Sequence, residues 1–224
     1  MTTTTSLTEP RWQRRAEARP QELLEAALAE FVARGYAATR LDEVARRAGV
    51  SKGTLYLYYE NKAELFKAVV RKSLVTNLDE AEAALAAYHG SARELLVFLL
   101  SEFTRRVSES PLSGIPKLVL AEAGNFPEIA GFYYEEVIRR GRGLVQEVLR
   151  RGIAQGEFRD VDLDYAWRVV IAPLVLGILW KHSFQPLEPE GFEFERHLRC
   201  HLDLIFDGLA ASAGAERQTE KETP

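Results

Sequence analysis

The chain lacks the marks of several common protein classes. It has one cysteine, Cys200, in 224 residues. A single thiol excludes an internal disulfide framework and points to a reducing cytoplasm. No apolar run reaches the roughly 20 residues of a membrane span. The longest, Val169 to Trp180, lies between Arg168 and Lys181 and contains Pro173 and Gly177, so it reads as a buried helix and no membrane partner is expected. Met1 to Pro10 has no apolar core and no positive start, so a secretory signal is not expected there. Sustained strand-like alternation is missing, and no fixed-period repeat occurs. Walker, nucleophile-elbow and His-Glu-x-x-His patterns are absent, and Gly141-Arg-Gly143 lacks the third glycine and the preceding strand of a dinucleotide fingerprint. The expectation is a non-enzyme without a cofactor.

What remains is an ordinary globular composition, 46% hydrophobic and 28% charged, which argues against wholesale disorder. The net charge of −4 is unevenly spread. Residues 11–62 hold ten Lys/Arg against seven Asp/Glu, a local +3, while residues 63–224 hold nineteen against twenty-five, a local −6. A phosphate-binding surface belongs at the positive end.

Helical spacing runs through most of the chain. Pro20 suits the first position of a helix to Arg34, with Leu23, Leu24, Ala27, Leu28, Phe31 and Val32 as its apolar stripe and Gly35 as its stop. Three capped helices follow. Thr39 precedes one carrying Leu41, Val44, Ala45 and Ala48 inward and ending at Gly49. Ser51 caps Lys52 to about Tyr59. Asn61 caps a third, with Glu64 three residues on, and that helix continues towards Tyr88 over about 42 Å. The spacing predicts an all-α fold of about nine helices, with a three-helix head on a larger helical body. The domains expected are a partly basic arm over 1–18, the head over 19–66, a body over 67–211 and a loose tail over 212–224.

Residues 40–59 have the form of a helix-turn-helix. Ala45 is small where two helices cross steeply, and Gly49 supplies the sharp turn. Val50 and Leu55 close the core between them, and Tyr59 covers the same side. Lys52, Gly53, Thr54, Tyr56 and Tyr58 are left facing outward: a cation, hydroxyls, bare backbone and amphipathic rings, as a DNA recognition helix requires. The arm residues Arg11, Arg14, Arg15 and Arg19, with Trp12, read either as a minor-groove arm or as a solvated extension of the first helix.

These residues resemble a known signature. Phe31-x-x-x-Gly35-Tyr36, Ala45-x-x-Ala-Gly-Val-Ser51, Gly53-Thr-Leu-Tyr56 and Asn61-Lys62-x-Glu64-Leu65 are similar to the DNA-binding segment of tetracycline-repressor-type (TetR/AcrR) regulators, from about Glu22 to Val70. Beyond about residue 75 the resemblance is one of layout and length. It implies a homodimeric regulator, usually a repressor, on a palindromic double-stranded operator, released by a small-molecule effector bound in the body. It assigns Thr39, Arg40 and Lys62 to phosphates. Ser51, Lys52, Gly53, Thr54, Tyr56 and Tyr58 fall to the recognition helix and its cap. Leu57-Tyr58-Tyr59 departs from the commoner Tyr/His-His/Tyr-Phe run, which leaves the contact of Tyr58 open.

The body is rich in aromatic residues. Candidates for an apolar or aromatic effector pocket are Phe98, Phe103, Phe126, Tyr133, Trp167 and Ile171, with Glu122, Asn125 and His182 as polar groups. The segment 162–184 is apolar nearly all round and needs partners on two sides. With the last helix it suggests a four-helix dimer face carrying Val170, Leu174, Ile178, Phe194, Leu198, Leu202 and Ile205. His197 and His201 are spaced for a metal, but no fourth ligand is evident, so none is expected. The rival readings are a helical ligand-binding or scaffold protein that does not use DNA, and an all-α enzyme without a recognisable motif.

Overall fold

The computed structural model describes residues 11–108, 110–188 and 190–210, with side chains from Pro20 onward apart from residues 107 and 108. The ten N-terminal residues and the expected tail over 212–224 lie outside the described residues. Nine helices are present among them. They are α1 (Arg11–Ala38), α2 (Leu41–Arg47), α3 (Lys52–Tyr58), α4 (62–87), α5 (Ala92–Ser108), α6 (Gly114–Glu122), α7 (127–154), α8 (Leu163–Ser183) and α9 (Phe194–Leu209). Two of them contain one π-helical segment each, Arg71–Val75 in α4 and Tyr134–Ile138 in α7.

Local chemistry accounts for the boundaries. The backbone at Gly35 turns to φ +80° inside the α1 span, and Gly49 takes φ +67° between α2 and α3, conformations that glycine reaches without a Cβ penalty. Ser51 Oγ accepts from Thr54 N–H at 3.1 Å, and Asn61 Oδ1 accepts from Glu64 N–H at 2.9 Å. Both are side-chain N-caps. Two expectations change. The helix α1 begins at Arg11, so residues 11–18 of the expected arm are helical in backbone, and Pro20 lies inside the helix rather than at its start. Thr39 caps nothing, because the residue that opens α2 is Arg40, without a side-chain cap.

The head and the upper body share one apolar core. Leu23, Phe31, Tyr36, Val44 and Leu55 join Phe66 and Val70 of α4, Ile115 and Val119 of α6, and Ile129 and Tyr133 of α7. The expected boundary at 66/67 falls inside the continuous helix α4. A second core, with Leu96, Leu100, Val148, Leu149, Leu174 and Phe206, fills the lower body between α5, α7, α8 and α9. On the head, Glu30 is buried and its carboxylate pairs with Arg34 and with Arg47 at 2.9 and 3.1 Å, while Arg34 also reaches Glu43. Those pairs tie α1 to α2.

The helix α8 is not buried as expected. It is long and apolar enough to cross a membrane, yet only 22% of its most apolar stretch is buried in its own chain. Val170, Leu174, Gly177 and Ile178 face inward, while Tyr165, Val169 and Leu176 are exposed.

Gly152 in α7 faces the Phe158 ring so closely that an added Cβ would overlap it. Gly152→Ala is expected to destabilise the fold by about 1–3 kcal/mol, as overpacking does. Thermal melting checks this, and an unchanged midpoint would contradict the packing.

Candidate functional site

The recognition helix is set by one inward residue. Leu55 is fully buried, and positions two residues away on either side point in nearly the opposite direction. Gly53 and Leu57, four residues apart, therefore form the outermost line of α3. Leu57 is 84% exposed, with Tyr56 and Tyr58 exposed beside it. The sequence reading missed Leu57. The signal was present in its spacing from Leu55, but an apolar residue is ordinarily assigned to a core. At Gly53 an added Cβ would meet only Ser51 Oγ, at 3.8 Å, and φ is not positive. Nothing among the described residues requires glycine there.

The polar groups around this line differ in freedom. Arg40 is exposed at the start of α2, where its carbonyl accepts from the Glu43 and Val44 N–H groups, and its side chain has no hydrogen bond or ion pair among the described residues. Lys52 Nζ pairs with Asp42 Oδ1 at 2.7 Å and lies 5.9 Å from the Tyr56 ring centroid. This pairing raises the lysine pKa and lowers that of Asp42. Thr54 Oγ1 is 2.9 Å from Ser51 Oγ.

Two residues assigned to phosphates are engaged elsewhere. Thr39 is buried, and its hydroxyl donates to the carbonyls of Gly35 at 2.7 Å and Glu30 at 3.2 Å. Lys62 Nζ donates to the carbonyls of Tyr36, Ala37 and Thr39 at 2.8, 2.9 and 3.2 Å. An ammonium has three donors, and all three are spent inside the chain. The same group lies 4.7 Å from the Tyr36 ring centroid. Burial pushes its pKa down, partly offset by Glu122. The turn at Gly35 strips these carbonyls of helical partners, and Lys62 replaces them.

Residues expected in a pocket build this same joint. Glu122 Oε1 accepts from Ala37 N–H at 3.2 Å, and Asn125 Nδ2 donates to Glu122 Oε2 at 3.2 Å. Phe126 meets the Tyr36 ring edge-on at 4.7 Å. Burial, helped by Glu128, pushes the Tyr36 hydroxyl up to about 12. Tyr133 is buried in the upper core, which pushes its pKa up. His182 Nε2 lies 2.6 Å from Ser113 Oγ, and its burial, with Lys181 and Lys117 nearby, lowers its pKa. Trp167 packs at the edge of the lower core under the Arg168 guanidinium, 4.6 Å from its ring.

The cavity lies between α4, α5, α7 and α8, with a volume of about 250 Å³. Phe98, Phe103 and Ile171 of the expected set line it. Leu74 and Val137, one from each π-helical segment, line it too, and Asn77, Glu80, Glu102 and Arg106 supply its polar groups. No local pattern marked these residues as neighbours. The dimer set also changes. Val170, Leu174, Ile178, Leu198 and Ile205 are buried in their own chain, and Phe194 and Leu202 are partly buried. The five buried residues hold α8 and α9 to the body and are covered by their own chain.

A helix-turn-helix with an outward recognition helix, carried on an all-helical body with a cavity between its helices, defines a class of DNA-binding regulators. The profile of bacterial regulatory proteins of the tetR family matches residues 23–69, and that of the tetracyclin repressor-like C-terminal domain matches residues 86–191. The chain belongs to the TetR family of transcriptional regulators. It is 27% identical to the uncharacterized HTH-type transcriptional regulator YhgD of Bacillus subtilis over 180 residues, 77% of this chain and 89% of that protein. It is 24% identical to the HTH-type transcriptional repressor KstR2 of Mycolicibacterium smegmatis over 200 residues, 88% and 93%. Its fold matches the crystal structure of the transcriptional regulator FadR from Bacillus subtilis in complex with stearoyl-CoA. That match has a TM-score of 0.67 at 18% identity, covering 84% of this chain and 98% of that one.

Lys62→Ala removes the only ammonium on these three carbonyls and is expected to lower stability by about 1–3 kcal/mol. The slope of log affinity against log salt on a DNA duplex should stay unchanged, whereas Arg40→Ala should lower it by about one. A stable Lys62→Ala protein with a reduced slope would return Lys62 to the phosphates.

Proposed function

We propose that this regulator is a homodimeric repressor in the cytoplasm, holding a palindromic operator through α3 and releasing it when an apolar effector fills the cavity. The observation that carries the DNA reading is the outermost line of α3. An exposed glycine with no internal reason to be one allows close approach of a nucleic acid. A leucine one turn on, directed away from the core, suits the methyl group of thymine in the major groove. Arg40 and Lys52 flank that line as phosphate ligands, and Ser51, Thr54, Tyr56 and Tyr58 supply hydroxyls.

The dimer reading rests on the exposed stripe of α8. Tyr165, Val169, Ala172 and Leu176 recur at helical spacing, and Leu204 of α9 is exposed as well. So contiguous an apolar face calls for a cover. A second copy related by a two-fold axis supplies it without a further partner. Two heads then meet successive major grooves about 34–36 Å apart. The KstR2 and FadR resemblances favour repression and a hydrophobic effector, since one relative is named a repressor and the other was solved with stearoyl-CoA.

Effector and head communicate through α4. Leu74 lines the cavity, Leu65 and Phe66 pack into the head core, and Lys62 grips the end of α1. An effector weakens DNA binding only by preferring the conformation in which this helix has moved.

A gel-shift with the duplex upstream of the protein's own coding sequence tests the reading, and absence of a specific shift over competitor DNA at moderate salt would overturn it. Gly53→Ala should melt no lower than the parent, because alanine favours helix over glycine by roughly 0.5–1 kcal/mol. It should nevertheless bind the operator about tenfold more weakly, the scale of one lost contact. Val169→Glu should convert a dimer to a folded monomer that no longer shifts the operator. Light scattering reads this, and a parent that is monomeric at micromolar concentration would refute the dimer.

A further inference from the structure

At the polar rim of the cavity stands one guanidinium whose carboxylate partners are held unequally. Arg106 Nη1 donates to Asn77 Oδ1 at 3.0 Å and to Glu80, and its Nε donates to Glu102 Oε2 at 2.9 Å. Glu102 is gripped a second time, by Arg105, whose Nε and Nη2 reach its two oxygens at 3.0 and 2.7 Å. Between two guanidiniums its carboxyl is lowered to about 2. Glu80 has no comparable second hold among the described residues. Its side chain is 56% exposed, and Arg106 is its ion-pair partner. Asp79 and Glu82, on the same stretch of α4, are engaged by Arg140 of α7.

Turning Glu80 out into water is therefore the easiest change at this rim. It leaves Arg106 with one carboxylate partner, Glu102, in place of two, beside a cavity whose walls are largely apolar. A guanidinium with its stem packed and one side vacated suits a carboxylate or phosphate, which it can meet with two parallel N–H bonds. A cationic ligand meets Glu80 and Glu102, both already paired with arginine.

We infer that the rim selects an anionic head group: an amphipathic effector sets its chain in the cavity and its carboxylate or phosphate on Arg106, in the place that Glu80 vacates. This rests on the reading of the cavity as the effector site. The exchange has a mechanical result. Glu80 belongs to α4 and Arg106 to α5, so the incoming anion replaces one of the two ties from Arg106 to α4, that to Glu80 beside that to Asn77, by a tie between α5 and ligand.

Calorimetric titration of the full-length protein with four ten-carbon probes below their micellar concentrations tests this. The probes are decanoate, decyl phosphate, decanol and decyltrimethylammonium. At least one anion should bind about tenfold or more tighter than decanol, with the ammonium weakest; which anion wins tells a carboxylate head from a phosphate. Arg106→Gln should erase the preference while decanol binding persists. Glu80→Gln, which removes the competing carboxylate, should tighten the anion several-fold and leave decanol unchanged, so the sign of its effect decides even if Arg106→Gln misfolds. Decanol or the ammonium binding as tightly as the anions, or Glu80→Gln weakening the anion, overturns the inference and leaves the cavity as effector site. Absence of binding by all four overturns the cavity reading itself.

Discussion

The half-buried ammonium of Lys62 fixes the relation between the two halves of the molecule. Where Gly35 breaks α1, three carbonyls lose their helical partners, and unpaired buried carbonyls are costly. One lysine at the first turn of α4 satisfies all three. Thr39 closes the same turn from the other side, with its hydroxyl on Gly35 and Glu30. The position of α2, and through it of α3, follows from that turn. The helix that bears Lys62 is also a wall of the cavity, so the element that orients the head is the one an effector touches.

The body holds that helix at several levels. Glu122 grips the Ala37 amide near the top, Phe132 lies under the Arg71 guanidinium at the level of the π-helical segment, and Arg106 and Arg140 grip the acids of its lower half. The two π-helical segments, in α4 and α7, each contribute a residue to the cavity wall. A π-helical turn carries one residue more than the helix needs and recurs at functional sites. Such turns are less regular than the α-helix on either side, so a displacement of the wall at Leu74 and Val137 falls on the backbone best able to absorb it. Because the head shares its core with α6 and α7, it cannot swing alone; a change of state must repack that core.

Much of the fold was legible because its signals are local. Ser51 and Asn61 cap the helices their sequence announces, Gly35 and Gly49 turn the chain, and the inward stripe of α1 is periodic. The outward side of α3 could be read from Leu55 alone. The rest depends on tertiary partners. An apolar residue on a helix apolar all round has no periodic signal to say which side meets the body, so Val170, Leu174 and Ile178 were assigned to a partner they do not face. The cavity is lined from four helices far apart in the chain, and no spacing joins Asn77 to Phe103 or Ile171. Lys62 and Glu122 were recognised as functional side chains, but where their charges go depends on a turn that the sequence marks only by its glycine. Thr39 followed the same logic. A threonine before a helix ordinarily caps it, and here the carbonyls exposed by the Gly35 turn compete for the hydroxyl and win.

The two binding surfaces share an electrostatic plan. On the head, Lys52 is already paired with Asp42; at the cavity rim, Arg106 is already paired with Glu80. In each case the cation is held in place by an exposed carboxylate of the same chain. An exposed pair contributes little to stability, so its loss costs the fold little, but it keeps a flexible side chain oriented while the site is empty. Binding of an anion then becomes an exchange of partners and not a capture by a bare charge. Exchange gives less affinity per contact than a free cation such as Arg40 would. It also discriminates, since a ligand that brings no anion leaves the internal pair intact and gains nothing from it. For a switch this matters more than tightness. A ligand that breaks the Arg106–Glu80 tie changes one of the contacts that hold α4, and α4 is the helix whose Lys62 closes the turn beneath the head.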